Sequence, residues 1–114
     1  MRTRSLKKSQ WKFWTEWVSK ALAGKRAEIE VSALGIGSQV QAEWLPLLGL
    51  VYDAKTDVFE VVLEGLDHLI RAPQELYVLE GSFGLESIEI VDAEGRRHTV
   101  TFKDPLALPA PGPE

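Results

Sequence analysis

Two imidazoles and a crowd of carboxylates are the side chains in this sequence that could do chemistry. The histidines are His68 and His98, and there is no cysteine, which excludes disulfides, thiolate metal sites and a cysteine nucleophile. His68 follows Asp67 and lies just after Gly65. An Asp-His pair can orient an imidazole for proton transfer, and the glycine permits a sharp chain exit that would hold the ring at a sheet edge. Against this, residues adjacent on a strand point to opposite faces, so the two side chains need not touch. No nucleophile or metal-ligand spacing accompanies them, and the plainer alternative is a turn aspartate followed by a histidine bonded to backbone. His98 is in phase with Val100 and Phe102, which places it on the apolar face of a final strand or at its open end, more often as a satisfied structural histidine. Ligation of a metal by His68, His98 and a carboxylate such as Asp67 is geometrically conceivable, but no spacing supports it.

The carboxylates Asp53, Asp57, Glu60, Glu64 and Asp67 are dense enough to suggest paired acids or a hard-cation site. Asp53 and Asp57 have a simpler role in closing a turn. Glu60 and Glu64 share strand parity and line a wet face. The expectation is a weak polar site at Asp67 and His68, no catalytic residue, no metal and no cofactor, with the balance leaning against an enzyme.

Charge is unevenly distributed. Up to residue 26 there are eight basic groups against Glu16 alone, a net +7, and the remainder carries −11, for a total of −4. Arg2, Arg4, Lys7, Lys8 and Lys12 head this basic part, and Phe13 and Trp17 follow them. A basic lead with aromatics can meet an acidic partner, pair head to tail with another copy, or neutralise phosphate while rings stack on bases. The acidic remainder opposes a duplex over much of the surface. No apolar run approaches the ~18 residues of a membrane span, and no signal-peptide core follows the basic start; a cytoplasmic setting is expected.

Several elements would have to position these groups. At 114 residues with 45% hydrophobic content, one domain is expected. It is read as a basic flexible lead over residues 1–8, a single α+β domain over 9–103 and a proline-rich extended tail over 104–114. Ser9 is read as the N-cap of an amphipathic helix and Gly24 as its C′ residue. Trp11, Trp14, Val18, Ala21 and Leu22 recur on one helical face, with Phe13 and Trp17 on its flank. An aromatic ring buries ~150–250 Å², worth several kcal/mol at ~25 cal/mol/Å², so Trp11 and Trp14 are assigned to the core. Phe13 and Trp17 are left as contact residues.

Beyond Gly24 the apolar period changes to two. Ala27, Ile29 and Val31 alternate with Glu28 and Glu30, and Val40, Ala42 and Trp44 with Gln39, Gln41 and Glu43. Pro46 ends or bends that strand. A hairpin follows around residues 53–57, then short strands at 68–71 and 76–80. A last hairpin joins 85–91 to 98–102 across Asp92, Ala93, Glu94 and Gly95. The expected fold is α+β: an N-terminal amphipathic helix, then a mainly antiparallel sheet or small SH3-like or Sm-like barrel.

The stretches Ala27 to Val31, Ala42 to Gly49 (AEWLPLLG) and Leu63 to Ile70 (LEGLDHLI), with Pro73 and Pro105-Leu106, resemble a family of small uncharacterised bacterial proteins grouped as a domain of unknown function. The resemblance covers nearly the whole chain. It implies a bacterial origin and a compact fold, and carries over no site residue. Three functions are therefore carried forward: a non-enzymatic interaction or self-assembly module, an RNA- or nucleotide-binding barrel using the basic lead, and a small enzyme or cation-binding protein centred on Asp67 and His68.

Overall fold

The period-two stretches become strands, and so does the segment before the helix. In a computed structural model, which describes residues 2–22, 24–35, 37–82 and 84–106, the chain opens with strand β1 (Arg2–Leu6). A single 3₁₀ turn (Lys8–Gln10) and helix α1 (Trp11–Leu22) follow. Seven further strands complete the order: β2 (Arg26–Ala33), β3 (Gly37–Asp53), β4 (Val58–Leu63), β5 (Leu66–Arg71), β6 (Pro73–Gly81), β7 (Gly84–Asp92) and β8 (Arg97–Leu106). All pairings are antiparallel, in the order β1-β6-β7-β8-β2-β3-β4-β5.

This corrects the expected α+β class. Among the described residues one 12-residue helix stands against eight strands, the chain does not begin with a helix, and the sheet is open, with β1 and β5 at its ends, so the SH3-like or Sm-like closure does not form. Residues 2–6, read as a flexible lead, pair with β6 from Arg2 opposite Glu80 to Leu6 opposite Leu76. An edge strand wet on most of its surface needs no apolar alternation, which is why Arg-Thr-Arg-Ser gave no strand signal. At the other end, β8 continues through Leu106; the rest of the proline-rich tail, residues 107–114, lies outside the described residues.

α1 begins at Trp11, one residue later than a Ser9 cap would place it, because Lys8–Gln10 form the 3₁₀ turn. Trp11, Trp14, Val18 and Leu22 are buried from this helix. Gly24 has φ 89°, the left-handed conformation that glycine adopts at a helix C′ without steric cost.

The 17-residue β3 changes partners halfway. It pairs with β2 from Gly37 to Pro46, then with β4 from Leu47 to Asp53. Opposite β2 the register runs Ala27–Leu45, Ile29–Ala42, Glu30–Val40, so β3 carries extra residues between 42 and 45 and at Gln41. These bulges overturn the regular alternation expected for Val40, Ala42 and Trp44: Ala42 is buried, Val40 is exposed, and Trp44 takes φ 51°. A bulge of this kind bends and coils a strand, and Pro46 follows with no amide to give to either neighbour.

Where β3 leaves β2, its backbone on that side would be bare, and α1 covers it. The Leu50 amide donates to Ser19 Oγ and the Ser19 hydroxyl donates to the Leu50 carbonyl, both at 2.8 Å. The Gly24 amide donates to the Leu47 carbonyl at 3.0 Å, and the Leu47 amide to the Lys25 carbonyl. One serine and the turn after the helix thus replace a neighbouring strand. Ser19→Ala leaves a buried amide and carbonyl without partners, an expected loss of about 1–3 kcal/mol. Urea denaturation of the two proteins checks it, with an unchanged midpoint showing that water makes up the bonds.

Candidate functional site

The β7–β8 hairpin decides which polar groups meet. Ile90 is opposite His98 and Val91 opposite Arg97, and the loop closes through the Asp92 amide donating to the Arg96 carbonyl at 3.0 Å. Residues 90, 92, 96 and 98 therefore share a face of the hairpin. On that face Asp92 is 3% exposed and His98 5% exposed.

Asp92 is the fixed charge of the cluster. Its Oδ1 accepts the backbone amides of Glu94 at 2.9 Å and Arg96 at 3.0 Å, while Oδ2 accepts Arg96 Nε at 2.9 Å and lies 3.0 Å from His98 Nε2. Burial alone would raise this carboxyl, but the donors from His98, Arg96 and Glu94 outweigh it and hold the group below the usual carboxylate range.

A carboxylate only accepts, so His98 Nε2 carries the proton between them. In the neutral ring Nδ1 is then an acceptor, and His68 Nε2 lies 2.9 Å from it. The tautomers follow in sequence: Asp92 fixes His98, and His98 Nδ1 accepts the His68 Nε2 proton, leaving the His68 Nδ1 lone pair. Burial and then the neighbouring His98 push the half-buried His68 down to about 4, so it is neutral at pH 7.

β5 supplies His68 from the far end of the sheet, where it pairs with Val61 of β4. Asp67 does not join it. Asp67 is exposed, opposite Val62, and acts on Glu60, whose carboxyl is pushed up by burial and then by Asp67. The expected Asp67–His68 pair is thus divided between two faces, and the carboxylate that orients an imidazole is Asp92. Hairpin register was the signal for it, because a loop at residues 92–95 places Asp92, Arg96 and His98 together.

The geometry does not resemble a metal centre. The two ring centroids are 5.1 Å apart and the facing nitrogens 2.9 Å apart, so the facing nitrogens aim at each other rather than at a common point. Among the described residues no group of three or more histidine or carboxylate side chains could hold a metal ion. Beside the cluster lies a cleft of about 410 Å³ between the end of β5 and the β7–β8 loop, lined by Leu69, Ile70, Ala72, Asp92, Arg96 and His98 among others.

The basic residues of the lead are largely engaged by the chain's own acids. Arg4 Nε bonds Glu80 at 3.1 Å, with Arg2 3.8 Å from the same carboxylate. Lys8 Nζ is 2.9 Å from both Asp57 and the Pro73 carbonyl. Tyr52 donates to the same Asp57 oxygen at 2.7 Å; burial and then this carboxylate raise its phenol to about 12. Lys7 and Lys12 are exposed, and Lys12 lines a groove of about 620 Å³ beside α1 with Thr15, Glu16 and Val51. Phe13 is 75% and Trp17 40% exposed.

Over residues 2–111 the chain matches the family of unknown function DUF5335. It belongs to that family. A protein of Aquifex aeolicus (strain VF5), described as uncharacterized, is 43% identical over 110 residues, covering 96% of this chain and 99% of its own length. No solved structure matches the chain. No helix of the described residues is long and apolar enough to cross a membrane. Membership of DUF5335 brings no activity with it, so what the chain does must come from its own surfaces.

If Asp92 anchors the cluster and Asp67 does not, conservative replacements separate them. Asp92→Asn turns an amide donor toward existing donors and is expected to cost about 2–3 kcal/mol. Asp67→Asn, at an exposed position, stays within about 0.5 kcal/mol. Chemical denaturation measures both, and equal losses contradict the assignment.

Proposed function

We propose that this protein is a non-enzymatic association module that pairs with a second copy of itself through the outer face of α1. The observation carrying this reading is the division of aromatics along one short helix. Trp11 and Trp14 are 1% and 7% exposed, whereas Phe13 and Trp17 stand in solvent although each could bury a large area. Exposed Leu48 and Val51 lie on β3, the strand that α1 packs against.

The occupant follows from the pattern of the face. Lys12, Phe13, Glu16, Trp17 and Lys20 are all exposed and fall at helical spacings of three and four. A two-fold axis beside Glu16 and Trp17 sets Phe13 of one copy against Lys20 of the other. It brings Glu16 beside Trp17 and within reach of Lys20. Each ring gains an apolar stem or a cation to cover, and like charges are kept apart, as an isologous interface requires.

The charge-driven alternative is weaker than the sequence suggested, because Arg2, Arg4 and Lys8 are already bonded to Glu80 and Asp57. The same pairing takes phosphate-binding cations from the nucleic-acid reading. Association through α1 should therefore survive moderate salt, since its centre is apolar. Light scattering after size exclusion is expected to give a dimer mass for the native chain. Phe13→Glu and Trp17→Glu should give monomers whose near-ultraviolet circular dichroism stays folded. A native chain that remains monomeric over a concentration series, or variants that stay dimeric, overturns the reading.

A further inference from the structure

We propose that the Asp92–His98–His68 chain is an acid-sensitive latch: it ties edge strand β5 to the β7–β8 hairpin in the neutral state and releases it when both imidazoles are protonated.

The latch stands on topology. β5 and β8 are three strands apart in the sheet order, separated by β2, β3 and β4, and no backbone pairing joins them. β5 pairs with β4 alone, so its other backbone edge has no strand neighbour. The His68–His98 bond crosses from this edge strand to β8 at 2.9 Å, next to the cleft between the end of β5 and the hairpin loop.

Proton counting gives the direction. The bond needs one N–H and one lone pair. With both rings neutral, His68 Nε2–H donates to His98 Nδ1. One added proton leaves the bond intact: His98 can donate from both nitrogens, to Asp92 and to the His68 Nε2 lone pair, while His68 keeps its proton on Nδ1. A second proton ends it, because both facing nitrogens then carry hydrogen and both rings are cationic.

The surrounding charges concern the two rings unequally. Asp92 lies against His98, with Arg96 bonded to Asp92 and Glu94. Arg71 borders the same cleft from β5. The partners of His98 across β2 and β7 are Val31 and Ile90, and that of His68 across β4 is Val61, all uncharged. Asp67 raises the Glu60 carboxyl, and Asp67, next to His68 on β5, has the opposite strand parity. A cation on His68 therefore lacks a compensating carboxylate among the paired positions around it, whereas one on His98 has Asp92.

His68 is lowered from 6.5 to about 4 in the closed state. A ring released to solvent binds a proton more readily than the latched one, so acid favours the open form. Closure is complete at neutral pH and is lost progressively as pH falls from 6.5 toward 4.

Hydrogen exchange, corrected for intrinsic rates, tests this at pH 7 and pH 4.5. Protection of the β4–β5 amides should fall roughly ten- to hundredfold, while α1 amides change much less. His68→Gln keeps an amide donor for His98 Nδ1 but cannot bind the proton, and it should remove most of that pH dependence. Protection in the native chain that is independent of pH, or an equal loss in His68→Gln, overturns the latch. Imidazole nitrogen NMR of the native chain tests it without a variant. It should show His68 protonated on Nε2 when both rings are neutral and titrating well below 6.5. A His68 that titrates near 6.5 overturns the proposal.

Discussion

A buried strand must find a partner for every amide and carbonyl on both of its edges, and in this chain the demand falls hardest on β3. Its first half has β2 on one side, its second half has β4 on the other, and no strand spans the handover. Ser19 and the turn at Gly24 and Lys25 supply the missing donors and acceptors at Leu47 and Leu50. Much of the rest depends on this substitution of a helix for a strand. It fixes where α1 lies, and hence which aromatics enter the core and which are left outside.

Among the described residues, three free backbone edges are guarded in different ways. β1 carries Arg2 and Arg4 bonded to Glu80, the first half of β3 is distorted by bulges, and β5 is tied across by His68. Charges and bulges are recognised means of discouraging edge-to-edge pairing. The proposed association accordingly uses the helix rather than the sheet, at the exposed rings of Phe13 and Trp17. The polar cluster and the exposed helix face are thus consequences of the same open sheet.

Local periodicity made the helix at Trp11, Trp14, Val18 and Leu22 readable, as it did the inward face of Ala27 and Ile29 and the last hairpin. Those signals come from residues a few positions apart. β1 was invisible because its partner β6 lies 70 to 78 positions away and its own side chains are mostly wet. The bulges in β3 were hidden because Val40, Ala42 and Trp44 keep a perfect alternation that tertiary pairing overrides. The polar cluster fell between these cases. His68 was singled out for its neighbour Asp67, which strand geometry sends to the opposite face, while Asp92 looked like an ordinary loop residue. The share of helix in the fold was overrated for a similar reason: strong helical spacing is easier to see than short, polar edge strands.

The pairing of β1 with β6 also sets a timetable. During synthesis the first residues leave the ribosome long before Leu76 to Glu80 exist, so the amino-terminal strand must wait for several seconds at ordinary elongation rates. β2 waits similarly for Arg97 to Lys103 of β8. In the interval α1 has only the nascent β3 to shelter its tryptophans, and Ser19 can engage Leu50 as soon as that strand emerges. The helix-to-β3 clasp can therefore form directly after the β2–β3 pairing that ends at Pro46, and the two halves of the sheet are joined last, when β8 pairs with β2.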